Sequence, residues 1–334
     1  MVTIVDIASR AHVAKSTVSN VLTGKKYVSP EITNKVIEIC KELDYQPNFY
    51  ASVLSAKAKT NIIGLFLEQS ATEKYKRFYS PLIESVLTTA SNYNYNLIIY
   101  SGLNSNDTTV KLKEGKSPID GAIILSPTIN DSRIMEISKK YIPFILIGHP
   151  GFQADINYVD TDNVGLTKSI ALAMIKQGFD NLCLINSSED LIISKERNEG
   201  FIEAFREYPD YQYKIYHSKE STYDDAYVFS LEALNEGAKG FITASPSVAS
   251  GVYKSCQELN KEIGKDVVVF SLGYDAIKEL KPRLSYASQD YFQFGKLATK
   301  KLLEHINGKK TITKEMIKSS LHIHQSFKIE IPEY

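Results

Sequence analysis

The stretch that decides the fold reads Thr3-Ile-Val-Asp-Ile-Ala-Ser-Arg-Ala11, then His12-Val-Ala14, then Lys15-Ser-Thr-Val-Ser-Asn-Val-Leu22. Its first and last parts have the apolar spacing of short amphipathic helices, and the residues between them allow only a tight turn. The apolar faces that should meet are those of Ile4, Ile7, Ala8, Ala11, Val18, Val21 and Leu22. The pattern predicts a helix-turn-helix unit, whose second helix enters the major groove of DNA.

The polar face of the second predicted helix carries the candidate DNA contacts. Side chains near the N-terminus of such a helix reach the base edges, which makes Lys15, Ser16 and Asn20 the candidate base readers. The hydroxyls of Thr17 and Ser19 are better suited to phosphate oxygens. Thr3, three residues before Asp6, is positioned to cap the first helix.

A third helix should close the small core of this head. Ser29-Pro30-Glu31 is a strong helix start, with a capping hydroxyl, a proline at the first position and an acid in the first turn. We expect a helix over residues 30–44, with an apolar stripe of Ile32, Val36, Ile39, Cys40 and Leu43. Residues 49–56 also have helical spacing, but so short a helix is marginal without a partner.

Three motifs resemble the lactose/galactose repressor (LacI/GalR) family of bacterial transcriptional regulators: Val13-Ala-Lys-Ser-Thr-Val-Ser-Asn-Val-Leu22, Val28-Ser-Pro30 and Leu43-Asp-Tyr-Gln-Pro-Asn48. The resemblance covers essentially the whole chain. It implies further DNA contacts at Thr3, Tyr27, Tyr45 and Asn48. It also makes residues 49–56 a hinge helix, in which Leu54 wedges into the minor groove and Ala51 lets two such helices approach. An ordinary linker with a stray leucine is the alternative.

Two residues depart from the family pattern in the recognition region. Ala14 stands where the family usually has Ser, and Asn20 where it often has Arg. Arg suits the O6 and N7 atoms of guanine, whereas Asn suits the N6 and N7 atoms of adenine. We therefore expect a shifted operator preference at one base step.

Composition sets the class of protein. A chain of 334 residues with 43% hydrophobic residues can bury a large core over two or three domains. Residues 1–60 hold eight Lys and Arg against five Asp and Glu, although the whole chain is neutral. No apolar run approaches the roughly 18 residues of a membrane span, so a cytoplasmic protein without membrane contact is expected. Cys40, Cys183 and Cys256 have the surroundings of buried small hydrophobes.

Beyond residue 61 apolar runs alternate with helical segments, which predicts an α/β body of parallel sheets covered on both faces. Strands are expected at 62–67, 97–100, 121–125, 144–147, 182–185, 240–243 and 267–270, and a final strand near 326–331. Helices are expected at 81–93, 132–141, 165–177, 195–207, 224–236 and 247–261.

The resemblance adds a division that periodicity does not give. It implies a helix-turn-helix domain over residues 1–46, a hinge helix and linker over 47–60, and an effector-binding and dimerisation domain over 61–334. This last domain would be two-lobed, like periplasmic sugar-binding proteins. One lobe would comprise about 62–160 plus 290–318, and the other 161–289 plus 319–334.

A ligand of such a body should bind between the lobes, at the carboxyl ends of the strands. The resemblance assigns candidate effector contacts to Phe78, Tyr79, His149, Asp162, Asn163, Arg197, Ser245, Asp275 and Gln289. Phe78 and Tyr79, placed in a loop after the first strand, could stack on a sugar ring or simply pack at a helix entry. Arg197 offers a planar fork of donors to hydroxyls, a carboxylate or a phosphate.

Several acidic positions of the family are absent here, which bears on the effector. Ala244-Ser-Pro246 replaces an Asn-Asp pair, Leu272-Gly-Tyr-Asp275 keeps a single acid, and His149 stands where Asp is frequent. Fewer carboxylates favour a phosphorylated sugar over a neutral one.

No enzyme is indicated, because the sequence contains no Walker loop, GxGxxG fingerprint or nucleophile elbow. His322 and His324 lack a third ligand nearby, so neither a metal site nor a cofactor is expected. The predicted function is that of a homodimeric regulator, most often a repressor, that binds near-palindromic double-stranded operator DNA under control of a sugar or sugar phosphate. The alternative is a sugar-binding or sugar-processing α/β protein whose head is not a specific DNA reader.

Overall fold

A computed structural model describes residues 2–24, 26–45, 59–67, 76–100, 119–151, 155–219, 221–273, 277 and 279–328. The chain divides into two compact units, Met1–Thr60 and Asn61–Tyr334. We call the first unit the head and the second the body.

The head contains α1 (Ile4–Ala11), α2 (Lys15–Thr23) and α3 (Pro30–Glu42). The backbone N–H of Thr3 donates a hydrogen bond of 2.8 Å to the Asp6 carboxylate, which fixes the start of α1. His12 ends α1 in the left-handed conformation, with φ of 56°, and turns the chain towards α2. The helix-turn-helix prediction is confirmed.

One apolar cluster holds the three helices of the head together. It consists of Ile7, Ala8, Ala11, Val18, Val36, Ile39 and Cys40, with Ile4, Val21, Leu22, Ile32 and Leu43 packed against it. These are the residues that helical spacing predicted. Burying them leaves the polar side of α2 facing outward.

The body is built from two parallel-dominated sheets flanked by helices. Its elements are β1 (Ile62–Phe66), α4 (Lys76–Asn92), β2 (Asn96–Tyr100), β3 (Gly121–Leu125), α5 (Ser132–Lys139), β4 (Phe144–Ile147), β5 (Tyr158–Asp160), α6 (Asn163–Lys176), β6 (Asn181–Asn186), α7 (Ile192–Ala204), β7 (Gln212–His217), α8 (Tyr223–Asn235), β8 (Gly240–Thr243), α9 (Pro246–Glu258), β9 (Val268–Leu272), β10 (Ser285–Ser288), α10 (Tyr291–Ile306), β11 (Lys314–Met316) and β12 (Ser320–His322). The two-lobed α/β prediction is confirmed.

The first sheet has the strand order β11-β5-β4-β3-β1-β2 and the second has β12-β10-β9-β8-β6-β7. We call these halves lobe 1 and lobe 2. The chain passes between them after β5, after β10 and after β11. At the first and third passages the chain segments touch, because Ile317 N–H donates to Asp160 O at 2.7 Å. Only β12 is antiparallel to its neighbour, β10, among the described strand pairs.

Close backbone packing sets the position of α7 against α6. A Cβ atom on Gly200 of α7 would lie 2.2 Å from the carbonyl oxygen of Val164 in α6. Glycine is therefore required for the two helices to approach this closely. Lobe 2 thus presents the N-terminal parts of both helices together at its edge.

Several elements were not predicted from the sequence. β5, β7, β10 and β11 are short or lie at sheet edges, and α10 was not identified as a helix. The strand expected near 326–331 was wrong within its described part, since residues 326–328 are not in a named strand and β12 supplies the antiparallel edge instead. Phe78 and Tyr79 lie in the first turns of α4 rather than in the predicted loop.

Candidate functional site

The outward side of α2 carries the predicted DNA contacts. Lys15 and Ser16 are exposed, whereas Thr17, Ser19 and Asn20 are half-buried. Tyr27, beyond the end of α2, is 89% exposed. Exposure of a tyrosine to this extent leaves its ring and hydroxyl available to a partner.

Two other predicted contacts have internal roles. The Thr3 hydroxyl donates to the Asp6 carboxylate at 2.7 Å, and Tyr45 packs against the apolar cluster of the head. Asn48, Ala51 and Leu54 lie outside the described residues, so the wedge remains a prediction.

The body contains a cavity of about 460 Å³ between lobe 1 and lobe 2. Lobe 1 contributes the segments that follow β3 and β4 together with Tyr158 of β5 and Met316 of β11, and lobe 2 contributes the N-terminal parts of α6 and α7. The lining residues are Thr128, Ile129, Asn130, Asp131, Ile134, His149, Pro150, Gly151, Tyr158, Thr161, Asp162, Asn163, Val164, Ile192, Lys195, Glu196, Glu199 and Met316. The volume is that of a small-molecule site.

Polar side chains from both lobes meet in this cavity. The Nδ1 atom of His149 lies 3.2 Å from Oε1 of Glu196, and the Nδ2 atom of Asn163 donates to Oε2 of Glu196 at 2.9 Å. The same amide group approaches Oδ1 of buried Asp160 at 3.5 Å. Asn163 is only 2% exposed, and its Oδ1 atom has no hydrogen-bond partner among the described residues.

Burial shifts the pKa values of this cluster. Burial, together with the charge of Glu196, raises the pKa of the Asp160 carboxyl, and burial also raises the pKa of Glu196. Burial lowers the pKa of His149, with Lys314 adding to the effect. Each shift favours the uncharged form of its group.

A buried ion pair shapes the lobe 1 side of the cavity. Arg133 contacts the Asp131 carboxylate at 2.5 Å and donates to Ser126 O at 3.1 Å. Asp131 also caps α5 by accepting from the Arg133 backbone N–H at 2.9 Å. Because its charge is compensated and its oxygens are occupied, Asp131 has little capacity left for a ligand.

The predicted effector residues divide into two groups. His149, Asp162 and Asn163 line the cavity, whereas Tyr79, Arg197, Ser245 and Gln289 do not. Tyr79 is buried in the apolar core of lobe 1, in agreement with the packing alternative. Asp275 and the Phe78 side chain are not described.

Arg197 faces away from the cavity because of its position on α7. It is 7% exposed and lies on the buried side of the helix with Ser194 and Phe201, where its guanidinium donates to Leu272 O at 3.3 Å. Ser245 caps α9 by accepting from Val248 N–H at 3.3 Å, and Gln289 accepts from the Tyr291 hydroxyl at 2.8 Å.

Sequence reasoning missed four residues of α7 that line the cavity. Ile192, Lys195, Glu196 and Glu199 are spaced as the successive residues of one helical face. This spacing was visible in the sequence, and it could have identified the face. The prediction turned the helix face of Arg197 towards the cleft, whereas the neighbouring face, which carries Glu196, lines the cavity.

The described residues contain neither a group of three or more side chains arranged to hold a metal ion nor a helix long and apolar enough for a bilayer span.

Comparison with known proteins assigns both parts of the chain. Residues 3–48 match the family described as bacterial regulatory proteins, lacI family, and residues 171–327 match the periplasmic binding protein-like domain. The head is a LacI-family domain. Both matches agree with the division of the structure into a helical head and a two-lobed body.

Relatives resemble the chain over nearly its whole length. The HTH-type transcriptional regulator MalR of Streptococcus pneumoniae is 27% identical over 317 residues, which cover 92% of this chain and 94% of that protein. Catabolite control protein A of Streptococcus mutans is 24% identical over 321 residues, covering 95% of each chain.

Solved structures share the fold. A transcriptional regulator CelR–cellobiose complex has a TM-score of 0.71 at 21% identity, and the match covers 98% of this chain and 100% of that chain. A lac repressor dimer bound to operator and the anti-inducer ONPF has a TM-score of 0.72 at 19% identity, with coverage of 98% and 99%.

Proposed function

We propose that this protein is a sequence-specific DNA-binding transcriptional regulator that represses carbohydrate-metabolism genes under the control of a small effector bound between its lobes. The observation that carries the proposal is the combination, in one chain, of a helix-turn-helix head and a two-lobed body with a cavity between the lobes. Regulators named MalR and catabolite control protein A are similar to this chain over more than nine-tenths of its length, which includes both the head and the body.

The head would read DNA through α2. Lys15 and Ser16 are exposed at its N-terminal end, and Asn20 lies one turn further along. Asn20 would recognise adenine through its N6 and N7 atoms. Thr17 and Ser19 would contact phosphates and fix the register of the helix in the groove. The proposed set of DNA contacts also includes Tyr27, Tyr45 and Asn48. In the hinge, Leu54 would act as the wedge and Ala51 would lie where two hinge helices meet. The main role of Thr3 is to start α1.

The body would sense the effector through the cavity. A ligand that contacts His149 from lobe 1 and Asn163 or Glu196 from lobe 2 favours one relative position of the lobes, because only that position provides both sets of contacts. Such coupling typically amounts to about 1–3 kcal/mol, or roughly 5- to 150-fold in operator affinity. The protein would act as a homodimer on a near-palindromic site, since twofold symmetry in the protein matches twofold symmetry in the DNA.

A regulator of this kind works where the bacterial chromosome is, in the cytoplasm, and needs no catalytic activity. Binding to the operator and to the effector accounts for its whole action.

The test is selection of bound sequences from a random duplex library by the full-length protein, at a salt concentration that suppresses non-specific phosphate contacts. A symmetric motif located upstream of sugar-metabolism genes is the expected result. An Asn20→Ala variant should lose preference at one position in each half-site and retain the others. Sequence-indifferent binding, both alone and with a panel of sugars, would contradict the proposal.

A further inference from the structure

We propose that the cavity recognises an amino sugar, whose ammonium group is held by Asn163 and Glu196, and that it discriminates against sugar phosphates. This inference rests on the proposed function in one respect, since it takes the cavity as the effector site. Binding itself is measured without DNA.

The Oδ1 atom of Asn163 requires a hydrogen-bond donor. Its amide nitrogen points to Glu196 at 2.9 Å and towards Asp160, so the oxygen must point the other way. That oxygen is buried, has no partner within the described structure, and belongs to a residue that lines the cavity. Buried polar atoms are normally satisfied, so this atom indicates a ligand with an N–H or O–H group.

The charged groups around the cavity favour a cation over an anion. Asp162, Glu196 and Glu199 line it, and among the described lining residues Lys195 is the only Lys or Arg. Asp131 is already paired with Arg133. Arg197, buried on another face of α7, and Lys314 act on Glu196 and His149 but do not line the cavity. Glu196 and Glu199 therefore supply the negative charges that a ligand meets on α7, and a phosphate would meet them without a fork of arginine donors in the lining.

An ammonium group can donate a hydrogen bond and also compensate a carboxylate charge, whereas a hydroxyl can only donate the hydrogen bond. It can donate to Asn163 Oδ1 and place a positive charge beside Glu196, a cavity-lining carboxyl that makes no ion pair with Lys or Arg among the described residues, although the charge of buried Arg197 also acts on it. Burial raises the pKa of Glu196, and a cation bound beside it would favour its ionised form.

The rest of the cavity fits the carbon skeleton of a sugar. Apolar side chains also line the cavity, namely those of Ile129, Ile134, Pro150, Ile192 and Met316. Such apolar surface can cover the C–H face of a ring while polar groups orient its substituents. The volume of about 460 Å³ admits a monosaccharide or a disaccharide.

The first experiment is calorimetric titration of the full-length protein with glucosamine, galactosamine and mannosamine, each compared with its parent hexose and its 6-phosphate. At least one amino sugar should bind about tenfold or more tightly than its parent hexose, since a hydrogen bond to a charged group is stronger than a neutral one. The 6-phosphate of that amino sugar should bind more weakly than the parent hexose. A panel in which no amino sugar exceeds its parent, or in which a 6-phosphate binds most tightly, overturns the proposal.

Two variants locate the effect. Glu196→Gln keeps the shape but removes the carboxylate, so it should weaken amino-sugar binding about ten- to a hundredfold while changing hexose binding little. Glu203→Gln is the matched control, because Glu203 lies on the same helix and pairs with Lys168 outside the cavity. Asn163→Ala should weaken both ligands, with thermal unfolding confirming that the variant folds. Equal losses for amino sugar and hexose in Glu196→Gln would exclude the ammonium contact.

The outcomes separate this inference from the proposed function. Operator selection can succeed while no amino sugar binds, which would leave a regulator with another effector. Conversely, amino-sugar binding without a selected DNA motif would leave the cavity assignment standing and remove the DNA-reading role.

Discussion

His149 in lobe 1 and Glu196 in lobe 2 form a direct contact across the cleft, with 3.2 Å between Nδ1 and Oε1. The Gly151 N–H donates to the same Nδ1 atom at 3.2 Å, which makes that nitrogen an acceptor. Burial raises the pKa of the Glu196 carboxyl and lowers that of His149, so without a bound cation both groups favour their uncharged forms at this contact. Any motion that separates the lobes at this point breaks the contact.

Replacing Asp160 with Asn should change how stability depends on pH. A carboxyl with a higher pKa in the folded than in the unfolded chain contributes stability that is fully present below its unfolded pKa, near 3.8, and is lost as pH rises through the folded pKa. The wild type should therefore lose stability relative to Asp160→Asn on going from about pH 5 to about pH 8, by up to about 1.4 kcal/mol for each unit between the folded and unfolded pKa.

Chemical denaturation at the two pH values measures this difference. Asp180→Asn is the control, because the Asp180 side chain is 47% exposed and its pKa is lowered through a contact with Lys239 at 2.8 Å. A parallel pH response in wild type and Asp160→Asn would mean that Asp160 does not hold a proton in the folded chain.

Removing Arg133 should destabilise the body strongly. The Asp131 side chain is only 2% exposed, so Arg133→Ala leaves a buried carboxylate without its partner. We expect a loss of about 3–5 kcal/mol. Arg206→Ala is the comparison, since Arg206 is 73% exposed and its contact with Glu203 should contribute about 0–1 kcal/mol. Similar unfolding free energies for the two variants would contradict the structural role of the Arg133–Asp131 pair.

Adding a methyl group at Gly200 should force α6 and α7 apart. The new Cβ would meet the Val164 carbonyl oxygen at 2.2 Å, so Gly200→Ala should cost about 1–3 kcal/mol. Because both helices line the cavity, ligand affinity should also fall. Gly178→Ala is a useful contrast, since its Cβ meets nothing within 4 Å and any cost there comes from its φ of 89°. If Gly200→Ala lowers stability but leaves ligand affinity unchanged, the packing of α7 against α6 does not determine the geometry of the ligand site.

Changing Asn20 to Arg should alter which operators are selected. The guanidinium favours guanine where the amide favours adenine, with discrimination of about 1–3 kcal/mol at that base pair. The selected motif should change symmetrically in both half-sites. Thr23→Arg, near the other end of α2, serves as a control for the added charge. The same motif from wild type and Asn20→Arg would remove Asn20 from the base readers.

The sequence predicted the head well because its information is local. Helical spacing, the turn and the start at Ser29-Pro30 all lie within short windows, and the cluster around Ile7 and Val36 follows from them. In the body, buried strands such as Ile62–Phe66 were equally clear, whereas Lys314–Met316 has two of its three residues exposed and no apolar signature.

The cavity was harder to predict because it depends on which faces of two helices meet. Asn163 and His149 were identified because they match effector positions of the family that the chain resembles, but Glu196 was overlooked beside the more conspicuous Arg197. A sequence shows that two faces of α7 differ. It does not show which of them turns inward until α6 is packed against Gly200.

The late position of α10 has a consequence for the protein during its synthesis. Phe294, Ala298 and Leu302 of this helix complete the core of lobe 1, around strands that begin at Ile62. While the ribosome is still adding lobe 2, the apolar side of Ile123, Ile145 and Val159 in β3, β4 and β5 therefore lacks its covering helix. The head, whose described core ends at Tyr45, has all of its own residues from the start. A nascent chain can thus hold a finished DNA-reading unit well before the part that would regulate it has folded.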